Sequence, residues 1–217
     1  MRDLQRILLI TLTLLLLTSA AFATDKYAGD CTLGTTVSSP CPQTVLVGHE
    51  SIAMMITPSD CGCGGATGVR VVEIHFRADG VHPNFHVQYG LREAVDSGGG
   101  CFYPGPRIWW DINNQLVPVD GPTDLTITTV DMPCLGAGES YFLEIDMEDG
   151  QNGTNFQVIG NSNPNADPCR SWYSTGVEFM VMPDPGCELA IWADVDCCDQ
   201  PVATENTTWE TLKVLYR

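Results

Sequence analysis

Apolar and polar positions alternate with a period of two along much of this chain. Leu189, Ile191, Ala193 and Val195 fall on one side, with Ala190, Trp192, Asp194 and Asp196 on the other. Tyr141, Leu143, Ile145 and Met147 alternate with Phe142, Glu144, Asp146 and Glu148. Val72, Ile74 and Phe76 alternate with Glu73, His75 and Arg77, and Val177, Phe179 and Val181 with Glu178, Met180 and Met182. Successive side chains of a β-strand leave on opposite faces, so these segments predict half-buried strands. Shorter candidates are 44–47, 51–57, 85–89, 107–112, 125–130 and 156–159. Turn clusters separate them, among them Ser97-Gly98-Gly99-Gly100, Pro104-Gly105-Pro106, Asp120-Gly121-Pro122 and Pro183-Asp184-Pro185-Gly186. The spacing predicts an all-β fold, an antiparallel, jelly-roll-like β-sandwich whose strands turn one apolar face inward and one wet face outward. A hairpin pairing 72–76 with 85–89 would bring His75 towards His86 as imidazole ligands, but ordinary surface or turn histidines are the expected reading.

Both ends depart from this rhythm. Arg2 and Arg6 precede the apolar run Ile7–Leu17, and Ala21-Phe22-Ala23 has the small-x-small form of a cleavage site. The run is short for a membrane span of about 20 residues, so residues 1–23 are expected to be a signal peptide and the mature chain to begin at Thr24. At the other end, Thr207 and Glu210 form a capping box, and Trp209, Leu212 and Tyr216 share a helical face. The expected organisation is a signal peptide (1–23), a β-sandwich domain (24–202) and a short C-terminal helical tail (203–217).

All ten cysteines lie beyond the signal: Cys31, Cys41, Cys61, Cys63, Cys101, Cys134, Cys169, Cys187, Cys197 and Cys198. An even number in a secreted chain implies a disulfide framework. Zinc-binding pairs are usually spaced C-x₂₋₄-C, which neither Cys61-Gly62-Cys63 nor Cys197-Cys198 matches. Pairing cannot be read from spacing, but vicinal cysteines rarely bond each other, so Cys197 and Cys198 are expected to reach different partners.

Charge narrows the range of partners. Asp and Glu number 27 against 10 Lys and Arg, a formal charge of −17, which repels nucleic acid and anionic lipid. No membrane span is expected in the mature chain. Neither lysine, Lys26 or Lys213, follows a glycine, so a phosphate-binding P-loop is excluded. His49-Glu50 fails as a zincin motif because Ala53 stands where the second histidine belongs. The run Gly62–Gly68 lies between no strand and helix that would make it a dinucleotide loop.

Several residues remain as site candidates. Trp109, Trp172, Tyr173 and Trp192 sit among polar neighbours, and flat rings beside amides and carboxylates suit sugar rings; tryptophan in a sandwich core is the competing reading. Asp194, Asp196 and Asp199 gather acids near the vicinal cysteines, an oxygen-rich set suited to a structural calcium. Glu144 and Glu178 lie on predicted strands and could face one cleft as the two carboxylates of a glycoside hydrolase, with solvated acidic strand faces as the competing reading. No cofactor other than calcium is expected.

The runs Glu188–Cys198, Ser171–Gly176 (read as a turn) and Thr208–Arg217 resemble cysteine-rich secreted β-sandwich proteins of environmental bacteria. The resemblance covers most of the mature chain, rests on structural motifs and implies no activity. The sequence therefore points to a secreted, non-catalytic extracellular binding or surface module. Its expected partner is a glycan or a cell-surface protein. The alternatives are a structural or adhesive component without a small ligand, or a carboxylate-dependent hydrolase.

Overall fold

The computed structural model describes residues 31–46, 50–63, 66–80, 87–113, 121–147, 156–184 and 186–199. The expected signal peptide, the C-terminal helix and His86 lie outside them. The strands in chain order are β1 (Cys31–Gly34), β2 (Pro40–Leu46), β3 (Ser51–Ile56), β4 (Gly68–Asp79), β5 (Val87–Asp96), β6 (Phe102–Asn113) and β7 (Thr123–Thr128). They continue with β8 (Leu135–Gly136), β9 (Tyr141–Met147), β10 (Phe156–Ser162), β11 (Ser171–Ser174), β12 (Phe179–Val181), β13 (Cys187–Leu189) and β14 (Ile191–Cys198). Two single 3₁₀ turns, Pro58–Asp60 and Pro168–Arg170, are the only helical segments among the described residues.

The strands form two antiparallel sheets. The larger runs β1-β14-β4-β10-β13, with β2 added on β10 and β7 and β8 on β4; the smaller runs β12-β11-β3-β9-β5-β6. The inner faces supply one core. Leu33, Val71, Ile74, Phe76, Ile127, Ile191 and Ala193 come from the larger sheet, and Ile52, Met54, Leu91, Leu143 and Ile145 from the smaller. A register shift between Asp194 and Val195 admits Val72 as an extra residue on β4. The shift keeps both strands' apolar side chains inward on either side of it.

All ten cysteines pair, as Cys31–Cys61, Cys41–Cys187, Cys63–Cys197, Cys101–Cys169 and Cys134–Cys198. The vicinal cysteines do reach two partners, and three of the bridges hold the end of β14 and the strands beside it. The Cys101–Cys169 bridge acts elsewhere. It joins the loop before β6 to the 3₁₀ turn before β11, strands four places apart in the smaller sheet. At about 4.8 Å per strand, a flat sheet would separate them by roughly 19 Å, yet the two Cα atoms lie 5.3 Å apart. The loops therefore fold back over the sheet's outer face.

That fold-back corrects the expectation of a wet outer face. On β9, five consecutive residues, Tyr141 to Ile145, are buried. Phe142 packs outward with Ala53 and Trp172 in a second apolar cluster, against which Cys101, Ala94 and Phe179 rest. Other details differ too. Residues 171–174 are a strand, not a turn, placed between β3 and β12. The segment 189–196 is not one strand: β13 pairs with β10 and β14 with β4, separated by buried Ala190. A hairpin between β4 and β5, the condition for His75 to approach His86, does not form, because the two strands belong to different sheets. Of the apolar alternation over 177–181, Phe179 on β12 packs against the second cluster, while Val177, before the strand, and Val181 are exposed.

Candidate functional site

The folded-back loops leave an open cleft of about 560 Å³ on the outer face of the smaller sheet. Its floor follows from strand register. Ser174, Ser51 and Asp146 are cross-strand neighbours on β11, β3 and β9, and the next row aligns Trp172, Ala53, Glu144, Gly90 and Trp110. Gly90 is required in that row: a Cβ there would lie 2.4 Å from the Trp109 carbonyl oxygen and 3.1 Å from the Trp110 Cα. Tyr103, Pro104, Val177, Glu178 and Phe179 form the walls.

A charge network occupies the floor. Glu144 is 1% exposed. Arg107 donates from Nε to Glu144 Oε2 at 2.6 Å and from Nη2 to Oε1 at 3.1 Å. Arg92 donates from Nη2 to Oε1 at 2.9 Å and from Nη1 to the Gly105 carbonyl at 2.8 Å. Its guanidinium carbon stands 4.9 Å from the centre of the Phe179 ring, a cation–π contact. Arg107 Nη2 also donates to Asp146 Oδ2, and Nη1 to Gln88 Oε1 at 3.3 Å. Two guanidinium groups thus neutralise two carboxylates. The bond to Glu144 raises the pKa of Arg107 despite its burial. Burial pushes the Asp146 carboxyl above its ordinary range, and Arg107 only partly pulls it back.

This arrangement limits the chemistry. Both Glu144 oxygens are engaged by guanidinium N–H groups, which leaves the carboxylate poorly placed to protonate a leaving group or attack a carbon. The cleft can instead offer hydrogen bonds in fixed positions. Ser174 Oγ accepts from the Gly176 N–H at 3.1 Å and keeps its own proton for donation. Ser51, Glu178 and the edges of the guanidinium groups add donors and acceptors, and Tyr103 and Phe179 add rings.

The four aromatic candidates do not share a surface. Trp172 is 9% exposed and its Nε1 donates to the Cys169 carbonyl at 2.8 Å. Tyr173 faces the inner core, and its hydroxyl donates to Glu50; burial, then Glu50, pushes its pKa up to about 12. Trp109 packs on the core with its ring 5.6 Å from that of Tyr89. Trp192 lies on the other sheet, stacked on His75 at 5.3 Å. Among the described residues the exposed tryptophan is Trp110, next to Trp109 in sequence, at 54%.

Nor does the acidic trio hold together as a calcium cage. Asp194 accepts from Thr32 Oγ1 at 2.9 Å and meets His75 Nε2 at 3.2 Å. Asp196 sits across from Arg70, and Asp199 accepts from Thr67 through its backbone carbonyl at 2.9 Å. The set brought within 4.8 Å among the described residues is Glu73, His75 and Asp194. Of the two hydrolase candidates, Glu144 and Glu178 do line one cleft. Arg92 and Arg107 escaped sequence reasoning, though both fall on strands in a chain with only 10 basic residues.

The chain matches no protein-family model and no curated protein. Among solved structures it is similar to a chain of the Cowpea Mosaic Virus empty virus-like particle, determined by electron cryo-microscopy. The identity is 13%, over 91% of this chain and 98% of that one, with a TM-score of 0.24. So remote a likeness carries no argument about function. Among the described residues no helix is long and apolar enough to cross a membrane.

Proposed function

We propose that this protein is a secreted, disulfide-stapled binding module without catalytic activity, and that the cleft takes a hydroxyl-rich ligand, a glycan. One observation carries the reading: a concave, polar floor of paired arginines, carboxylates and serine hydroxyls is walled by Tyr103 and Phe179. Specific small-ligand sites combine a concave shape with a few fixed polar groups. Sugars present hydroxyls to such groups and axial C–H bonds to rings. Five disulfides suit an oxidising compartment, in keeping with export by the signal-like N-terminus.

A glycan array probed with the oxidised protein tests this reading. Binding to a defined glycan class is expected, weakened by Tyr103→Ala or Glu178→Gln with the fold intact by circular dichroism. Absence of binding across the array would favour a purely structural or adhesive role. The shared cleft of Glu144 and Glu178 favours a second reading, a hydrolase. It predicts sugar release from a bound glycan, abolished by Glu178→Gln; the binding-module reading predicts no release.

A further inference from the structure

We propose that Glu73, His75 and Asp194 form a site for a divalent transition-metal ion of the zinc type on the outer face of the larger sheet. The three side chains come from adjacent strands in fixed register. Glu73 and His75 are two residues apart on β4 and so share a face, and Asp194 on β14 stands directly across from Glu73. Their ligand atoms all lie within 4.8 Å of one another, with His75 Nε2 3.2 Å from Asp194 Oδ2 and 3.7 Å from Glu73 Oε2.

Three further observations separate this group from an ordinary patch of surface acids. Like charges directly opposite each other on antiparallel strands repel, and Glu73 and Asp194 are such a pair. Arg77, two residues on from His75, is committed elsewhere: it forms a two-point pair with Asp124, at 2.6 and 2.7 Å. Second, the ligands are oriented from outside the cluster, as metal ligands usually are. His75 Nδ1 lies 2.9 Å from Thr126 Oγ1 on β7, and Thr32 on β1 donates to Asp194 Oδ1. An ion that replaces the Nε2 proton donated to Asp194 leaves Nδ1–H to donate to Thr126 and the Nε2 lone pair to ligate the metal. Third, the scaffold is rigid, because β1 and β14 both carry disulfides, at Cys31 and at Cys197 and Cys198, and Trp192 stacks on the imidazole with an interplanar angle of 15°.

The donor set selects the metal. Imidazole with two carboxylates suits zinc and its neighbours, whereas calcium prefers six to eight oxygens. Three protein ligands leave at least one position for water or an external ligand. The proposal is independent of the cleft, which lies on the other sheet.

Titration of the oxidised protein with Zn²⁺ by calorimetry, with thermal unfolding in parallel, tests it. Copper(II) serves as a second probe, because a paramagnetic ion on His75 quenches the Trp192 ring stacked against it. Expected are one zinc ion per chain with a raised Tm, loss of that binding in His75→Ala and Asp194→Asn, and its retention in Asp196→Asn. Thr126→Val is expected to weaken it about tenfold or more. Copper quenching is expected to fall in Trp192→Phe. Zinc binding that survives His75→Ala would assign the metal to other histidines and overturn the proposal. So would an absence of binding by the folded wild-type protein.

Discussion

Glu144 and Arg107 meet through two parallel hydrogen bonds on the outer face of a sheet, yet Glu144 is as buried as any core residue. A strand face that should be wet is closed by the Cys101–Cys169 fold-back, and the charges it encloses have to neutralise one another. The cleft is what remains open beside that network.

Glu144→Gln should therefore destabilise the protein sharply. Removing one member of a buried ion pair leaves the others uncompensated, an effect of about 3–5 kcal/mol. Urea unfolding measures it, and a loss under about 1 kcal/mol, the scale of a surface pair, would show the network to be solvent-screened.

Asp146 should make stability fall with rising pH. Its native pKa lies above the ordinary 3.8, so the folded chain holds that proton more tightly than the unfolded one. The resulting stabilisation is complete below about 3.8 and lost as pH rises through the higher native value. Comparing denaturation of the wild type and Asp146→Asn across mildly acidic pH should show the wild type losing ground as pH increases. Parallel curves would contradict the assignment.

Tyr89, Tyr141 and Tyr173 carry the same sign at the alkaline end. Burial, reinforced by Asp111, Glu139 and Glu50 respectively, pushes each up to about 12. The unfolded chain loses these protons first, so their stabilising contribution is present below about 10 and lost through about 12. Tyrosinate absorbance should show three late-titrating groups while the fold persists; their ionisation at the ordinary value in folded protein would count against the burial described.

Serine at both Cys101 and Cys169 should open the cleft while sparing the inner core. The bridge closes a separation of 68 residues, which corresponds to about 3–5 kcal/mol in the chain-entropy account. Hydrogen exchange should rise first in Ala53, Phe142 and Trp172, which pack under the bridge. Uniform loss of protection across both sheets would mean that the bridge supports the whole fold.

Gly90→Ala tests the close approach of β5 and β6 beside Glu144. The added methyl meets backbone atoms of β6 rather than a mobile side chain, so the strands have to separate, at about 1–3 kcal/mol. A neutral effect on Tm would show that β6 is free to move.

The sequence pattern made the inner faces legible, because period-two alternation reports which residues share a buried face. Ile191, Ala193 and Val195 are inward as expected. The smaller sheet's outer face was not legible. Phe142 and Glu144 read as solvent-facing because nothing local announces that Cys101 will reach Cys169 and cover them. Pairing between distant strands of one sheet was hidden too: the partners of His75, Asp194 and Thr126, are 119 and 51 residues away in sequence. The pairing of Arg92 and Arg107 with Glu144 also depends on register between distant strands. Alternation alone does not contain that register.

Under the proposed function, the cleft on the smaller sheet holds the glycan. Titrating the isotope-labelled, oxidised protein with the oligosaccharide that the array selects, and following backbone amide shifts, tests it most directly. Shifts concentrated at Ser51, Tyr103, Ser174 and Glu178, saturating at one ligand per chain, are the predicted result. Saturable shifts centred on Trp110 or on the larger sheet, with the cleft residues unmoved, would contradict it.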